Sequence, residues 1–206
     1  MLRNFFTTKR ICRAGVIAAL YVALTYAFAP VAYQGIFQIR PGEALTILPL
    51  FFPEAIPALY IGCMLSNLAS IYLIYDVFVG SLATLAASIC TYFIGLAFRK
   101  YAGKGAAAFK IALGGIFPVL FNAFIIPLII VFLCHDTSAG ATVTIAYWTN
   151  FASMLLSEAV WIYGLGIPLY FFVERMRKRG VAAFSDGRKK RLPPPEPNDE
   201  TPQPQA

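Results

Sequence analysis

Glu43-Ala-Leu-Thr-Ile-Leu-Pro49-Leu-Phe-Phe-Pro53-Glu54-Ala-Ile-Pro57-Ala-Leu-Tyr-Ile-Gly-Cys-Met-Leu-Ser-Asn67-Leu-Ala-Ser-Ile-Tyr-Leu-Ile-Tyr75 is an apolar run of thirty-three residues. As a single helix it would measure about 50 Å, against a bilayer hydrocarbon core of about 30 Å. Pro49, Pro53 and Pro57 break it, because proline removes a backbone donor and crowds the preceding turn. Pro53 at a first helical position, with Glu54 beside the positive end of the dipole, reads as a helix start. The run therefore divides into a short helix over 43–52 and a longer one from 53 to about 75.

The rest of the chain supports a bilayer setting. It is 59% hydrophobic and 13% charged, with a mean hydropathy of +0.68, too apolar to clothe a soluble globule of 206 residues. Further apolar runs cover 11–28, 77–98, 107–134 and 143–173. Sixteen of the seventeen basic residues lie in clusters at 3–13, 99–110 and 175–191, and Arg40 is the exception. If the first two clusters face the cytoplasm, an even number of passages separates them. Splitting the 43–75 run supplies that number.

These readings give an all-α integral membrane protein of six transmembrane helices, the second short and proline-broken, with both termini cytoplasmic. The expected organisation is a cytoplasmic N-terminus over 1–10 and a membrane domain over 11–175. A basic and then proline-rich tail over 176–206 follows, disordered by composition. The net charge of +7 sits at helix ends, where it meets anionic headgroups of membrane lipid, and nucleic-acid binding is excluded. The four cysteines and one histidine form no metal-ligand or disulfide pattern. The basic start with Ala27-Phe28-Ala29 resembles a signal peptide, but Pro30 just after the cut disfavours cleavage, and the run reads as a retained helix. No nucleotide-binding or catalytic motif is present, so no enzymatic activity or cofactor is expected in this chain.

Polar groups within apolar runs mark function, since an isolated charge in lipid costs several kcal/mol. Glu158 lies mid-way along the last run, either a structural carboxyl or a ligand contact. Asn67 and Asn122 suit interhelical hydrogen bonding or ligand contact. Gln38, Arg40 and Glu43 gather donors and acceptors at the outer mouth, with a simple Arg40–Glu43 surface ion pair as the alternative. Asp76 reads as an N-cap, and Trp148 as an interfacial anchor or a ligand clamp. Gly15, Ala19, Ala23 and Ala27, with Ala14 and Ala18 beside them, give the first helix a smooth face for close helix approach.

Gln38-Ile-Arg-Pro-Gly-Glu-Ala-Leu-Thr-Ile-Leu-Pro49, Ile61-Gly-Cys-Met-Leu-Ser-Asn67, Asp76-Val-Phe-Val-Gly-Ser-Leu-Ala-Thr-Leu85, Ala18-Ala-Leu-Tyr-Val-Ala-Leu-Thr25, Ala55-Ile-Pro57 and Ser157-Glu-Ala159 resemble the QueT family. The resemblance runs from about residue 14 to 170. It departs at Pro41-Gly42, at Ser157 and in the tail. It implies a substrate-binding S-component of an energy-coupling factor (ECF) importer for queuosine precursors, in the plasma membrane. The precursor would be a 7-deazaguanine such as preQ0, preQ1 or queuine. Partners would be a membrane T-component and ATPase subunits that hydrolyse ATP.

The resemblance also implies T-component docking through Ala14 and Ala18, and a lid over the substrate formed by residues 29–42. Glu158, Glu43, Asn67, Asn122, Gln38, Arg40 and Trp148 carry the chemistry that a deazaguanine needs: carboxylates for its paired N–H donors, amide or guanidinium for its carbonyl, an aromatic face for stacking. The alternatives are an S-component for another vitamin-like nutrient and, more remotely, a membrane enzyme or a scaffold.

Overall fold

The computed structural model describes residues 7–33, 38–101 and 103–184. The basic and proline-rich tail beyond 184, the extreme N-terminus and residues 34–37 of the expected lid lie outside the described residues. The described residues are helical, with no strand among them.

Among the described residues, four helices are long and apolar enough to cross a membrane. We label α1 Thr8–Ala27, α3 Leu73–Ala97, α4 Gly105–Leu133, and the pair α5 Val143–Gly164 and α6 Gly166–Lys178, which together form the fourth long span. The 43–75 run supplies two shorter pieces, a 3₁₀ helix Pro41–Leu50 and α2, Ala55–Asn67. Ten residues of 3₁₀ helix and thirteen of α-helix each measure about 20 Å, less than the hydrocarbon core. Where six membrane helices were expected, the described residues give four long spans and two short apolar segments.

Contacts give the direction of the short segments. At its start, the 3₁₀ helix follows Arg40, which reaches Asp76. At its finish, Leu50 lines a cavity with Arg10, Arg99 and Lys178. Glu54, just before α2, bonds Arg13 at 2.5 Å, whereas Ser66 near the end of α2 accepts from Tyr33 at 2.6 Å. The two segments therefore run antiparallel, and Arg10, Arg99 and Lys110 stand at one end of the bundle.

Three boundaries differ from expectation. α2 begins at Ala55, so Pro53 and Glu54 lie in the turn before it rather than in its first turn. α2 stops at Asn67 rather than near 75, because Asn67 Nδ2 donates to the Asp76 carbonyl at 2.8 Å and Ser70 donates to the Asp76 carboxylate at 2.5 Å. Such local side-chain bonds compete with the helical ladder. Asp76 is consequently no N-cap: α3 begins at Leu73, and Asp76 opens a wide π turn, Asp76–Gly80, inside it.

The 3₁₀ helix is the hub, buried from Pro41 through Pro49. Its close neighbours are glycines. A Cβ at Gly42 would lie 2.6 Å from Thr25 Oγ1, and one at Gly95 would lie 2.6 Å from the Leu50 carbonyl oxygen. Between helices in lipid, where burial of apolar surface gives no drive, such backbone approach is what gains dispersion energy. Gly62 likewise meets the Ala18 carbonyl. Ala14 and Ala18 are accordingly half-buried against the core, and the outward small-residue edge of α1 is Gly15, Ala19 and Ala23.

Candidate functional site

Buried polar residues from four elements meet at the end of the bundle opposite the basic clusters. The 3₁₀ helix brings Glu43, 1% exposed, and α1 brings Tyr21, whose hydroxyl donates to the Glu43 carboxylate. Asn122 of α4 donates through Nδ2 to Glu158 Oε1 of α5 at 3.1 Å. The Asn122 amide is also within reach of Glu43, so it stands between two carboxylates that interact with each other and with Arg40. Ser157 donates to the Gln38 carbonyl oxygen and ties the chain before the 3₁₀ helix to α5 beside Glu158.

A second knot adjoins the first. Arg40 Nη2 lies 3.9 Å from Asp76 Oδ2, and its Nε donates to the Ala32 carbonyl at 3.3 Å. Its guanidinium sits 5.1 Å from the centre of the Tyr33 ring. Asn67 serves this knot through Asp76. The simple surface ion pair between Arg40 and Glu43 is therefore not what forms: both residues are buried, Arg40 pairs with Asp76, and Glu43 bonds Tyr21. Burial of both ends makes the Arg40–Asp76 pair costly to break from one side.

Gln38, Arg40, Glu43, Asn67, Asn122 and Glu158 are thus brought together, directly or through Asp76. Trp148 is not. It is 55% exposed and packs edge-on against Tyr147 and Phe151 on the outside of α5. Tyr21, Tyr33, Asp76 and Ser157 belong to the site and were not singled out for it. Tyr21 is discernible in retrospect as the middle of the Ile17–Tyr21–Thr25 buried stripe of α1.

Access leads from the loop between α4 and α5. A cavity of about 120 Å³ is lined by Tyr33, Gln38, Tyr72, Asp136 and Asn150, among others. A narrower one of about 10 Å³ continues past Gln38 and Asn150 to Ile126 and Met154. Ile126 is four residues after Asn122 and Met154 four before Glu158, so the passage ends one helical turn from the carboxylate pair. Its volume falls well below the roughly 300 Å³ of a typical small-molecule site.

At the mouth, Tyr72 donates to Asp136 Oδ2 at 2.5 Å, and the Ser138 amide donates to Oδ1 at 2.9 Å. These bonds, the Tyr72 one foremost, hold the Asp136 carboxyl below the ordinary carboxylate range. Deeper in, Gln38 Oε1, Glu43 Oε2 and Glu158 Oε2 are among the buried atoms with no hydrogen-bond partner among the described residues. Buried acceptors of this kind are rare in folded chains and are complementary to a ligand bearing N–H donors.

The comparisons with known proteins agree with this picture. No solved structure gives a significant match. The queuosine precursor transporter QueT of Lactococcus lactis subsp. cremoris (strain MG1363) is 40% identical over 80 residues, which is 38% of this chain and 46% of that protein. The aligned stretch therefore spans under half of that relative. A family model described as QueT transporter matches residues 11–175, the whole helical bundle through α5 and most of α6. The chain belongs to the QueT transporter family.

Proposed function

We propose that this chain is the substrate-binding subunit of an ECF importer in the plasma membrane, with both termini cytoplasmic, and that it takes up a queuosine precursor of the 7-deazaguanine type. Partner ATPases hydrolyse the ATP, and a T-component carries the subunit through its transport movement. The observation that carries this reading is the pairing of Glu158 and Glu43 around Asn122, with an unpartnered oxygen on each carboxylate. A deazaguanine presents two adjacent N–H donors and a carbonyl on one edge. One carboxylate takes the donors, and the Asn122 amide or Arg40 serves the carbonyl.

The narrowness of the passage and the ties on either side of residues 34–37 support a lid role for these flanks. Ile39 N donates to the Val31 carbonyl at 3.1 Å, Arg40 holds Ala32, and Tyr33 holds Ser66. Loading from outside releases these ties, admits the base past Gln38 and Asn150, and closes again over it. The outward edge of α1, Gly15, Ala19 and Ala23, continues the face through which the T-component docks.

Titration calorimetry of the detergent-purified chain with each precursor, against riboflavin and biotin as unrelated nutrients, tests the assignment. Saturable binding of a deazaguanine, with no heat from the other two, is expected. Binding of a vitamin instead of a deazaguanine would move the chain to a different substrate class.

A further inference from the structure

At the basic end of the bundle is a cavity of about 500 Å³ that the substrate site does not include. Arg10 of α1, Arg99 just after α3, Lys110 of α4, and Arg177 and Lys178 of α6 line it, with Glu174 the only carboxylate among its lining residues. Four separate parts of the chain thus aim cations into one concavity. A concavity lined by one sign of charge focuses the field and concentrates anions within it.

Two of the five cations have carboxylate partners: Lys178 engages Glu174 at 3.0 Å, and Arg10 faces Glu54 at 3.9 Å. Lys110 gives one of its three donors to the Tyr101 carbonyl, a neutral partner that leaves its charge intact. Arg177 lies 5.5 Å from the Phe51 ring centre, which fixes its guanidinium plane without neutralising it. Gly95 lets α3 touch the Leu50 backbone, so the end of the 3₁₀ helix closes one side of the cavity.

We propose that this cavity is a binding site for a phosphate-bearing anion, held by Arg99, Lys110, Arg177 and their neighbours. Guanidinium forks match phosphate oxygens in pairs, and basic pockets between membrane helices accept anionic headgroups. The neighbouring outward surface of α3, Phe93 and Leu96, is exposed and apolar, as acyl chains beside a bound headgroup require. The ligand is either such a lipid headgroup or free phosphate.

The test uses the full chain in a neutral detergent, with lipid retention read by native mass spectrometry and thermal shift read in parallel. The probes are dioleoylphosphatidylglycerol, dioleoylphosphatidylcholine, inorganic phosphate against chloride at equal ionic strength, and poly-glutamate. Phosphatidylglycerol is retained over phosphatidylcholine if the source is lipid, and inorganic phosphate alone raises the melting temperature if the source is free phosphate. Arg99→Gln and Lys110→Gln each weaken the binding seen by about fivefold, the effect of one basic charge at an anionic surface. Arg175→Gln, exposed on α6 and outside the cavity, leaves it unchanged. Equal loss in Arg175→Gln, no preference for either phosphate-bearing probe, or binding of poly-glutamate alone would overturn the proposal.

Discussion

Arg40 faces Asp76 across 3.9 Å, although Glu43 is three residues away in the chain. The 3₁₀ turn that starts at Pro41 carries Glu43 toward Tyr21, while Arg40 stays at the edge with Tyr33 and Ala32. The pair therefore clamps the chain before the hub to the start of α3. Arg40→Gln or Asp76→Asn leaves one buried charge without its partner and should destabilise the fold by about 3 kcal/mol. Thermal unfolding in detergent measures this. Joining the two changes should recover part of the loss, whereas an Arg40→Glu, Glu43→Arg exchange should recover none.

Tyr21 gives Glu43 its hydroxyl donor. Tyr21→Phe removes it and leaves a buried carboxylate oxygen unsatisfied, a cost of about 1–3 kcal/mol. The expected outcome is a lower melting temperature in the ligand-free protein, with a larger stabilising shift on adding the deazaguanine because the ligand then supplies the missing donor.

Glycine substitutions should split by position. Gly95→Ala places a methyl 2.6 Å from a backbone oxygen and should cost about 1–3 kcal/mol through overpacking. Gly15→Ala meets nothing within 4 Å and should be neutral or slightly stabilising. On the same face, Ala19→Trp should keep the melting temperature and substrate binding but lose co-purification with the T-component, whereas Ala18→Trp, facing Gly62, should unfold the bundle.

The Tyr72–Asp136 bond joins two residues at the cavity mouth, and its carboxylate is held below the ordinary range by that bond. Because the folded carboxyl titrates below its unfolded value, the contact stabilises fully above the ordinary aspartate range, about pH 4. It is lost as pH falls through the lower folded value. Tyr72→Phe should therefore accelerate substrate entry at neutral pH and make no difference in strong acid, as stopped-flow binding at several pH values would record.

Much of this was legible in the residues. Grouped Arg and Lys located one end of the bundle, and the break expected at Pro53 falls in the turn between the 3₁₀ helix and α2, whereas Pro49 is accommodated inside the 3₁₀ helix. Glu43, Asn122 and Glu158 come together because lone polar groups in apolar helices are costly unless they find one another. Asp76 was misread because its role depends on a chain reversal after Asn67, and a helix-start residue has the same local signature. Trp148 stayed between interfacial anchor and ligand clamp for want of a helix phase, and its exposed position fits the anchor. It is two residues from Asn150, hence about 200° around α5, and the same residue type serves either face.

The most direct test of the central claim is deazaguanine affinity, by titration calorimetry, for the parent chain, Glu158→Gln and Trp148→Ala. If the Asn122-centred carboxylates hold the base, Glu158→Gln should weaken binding at least tenfold, one charge-assisted hydrogen bond or more, with an unchanged melting temperature. Trp148→Ala should bind as the parent does. Full affinity in Glu158→Gln, or a loss confined to Trp148→Ala, would contradict the site described here.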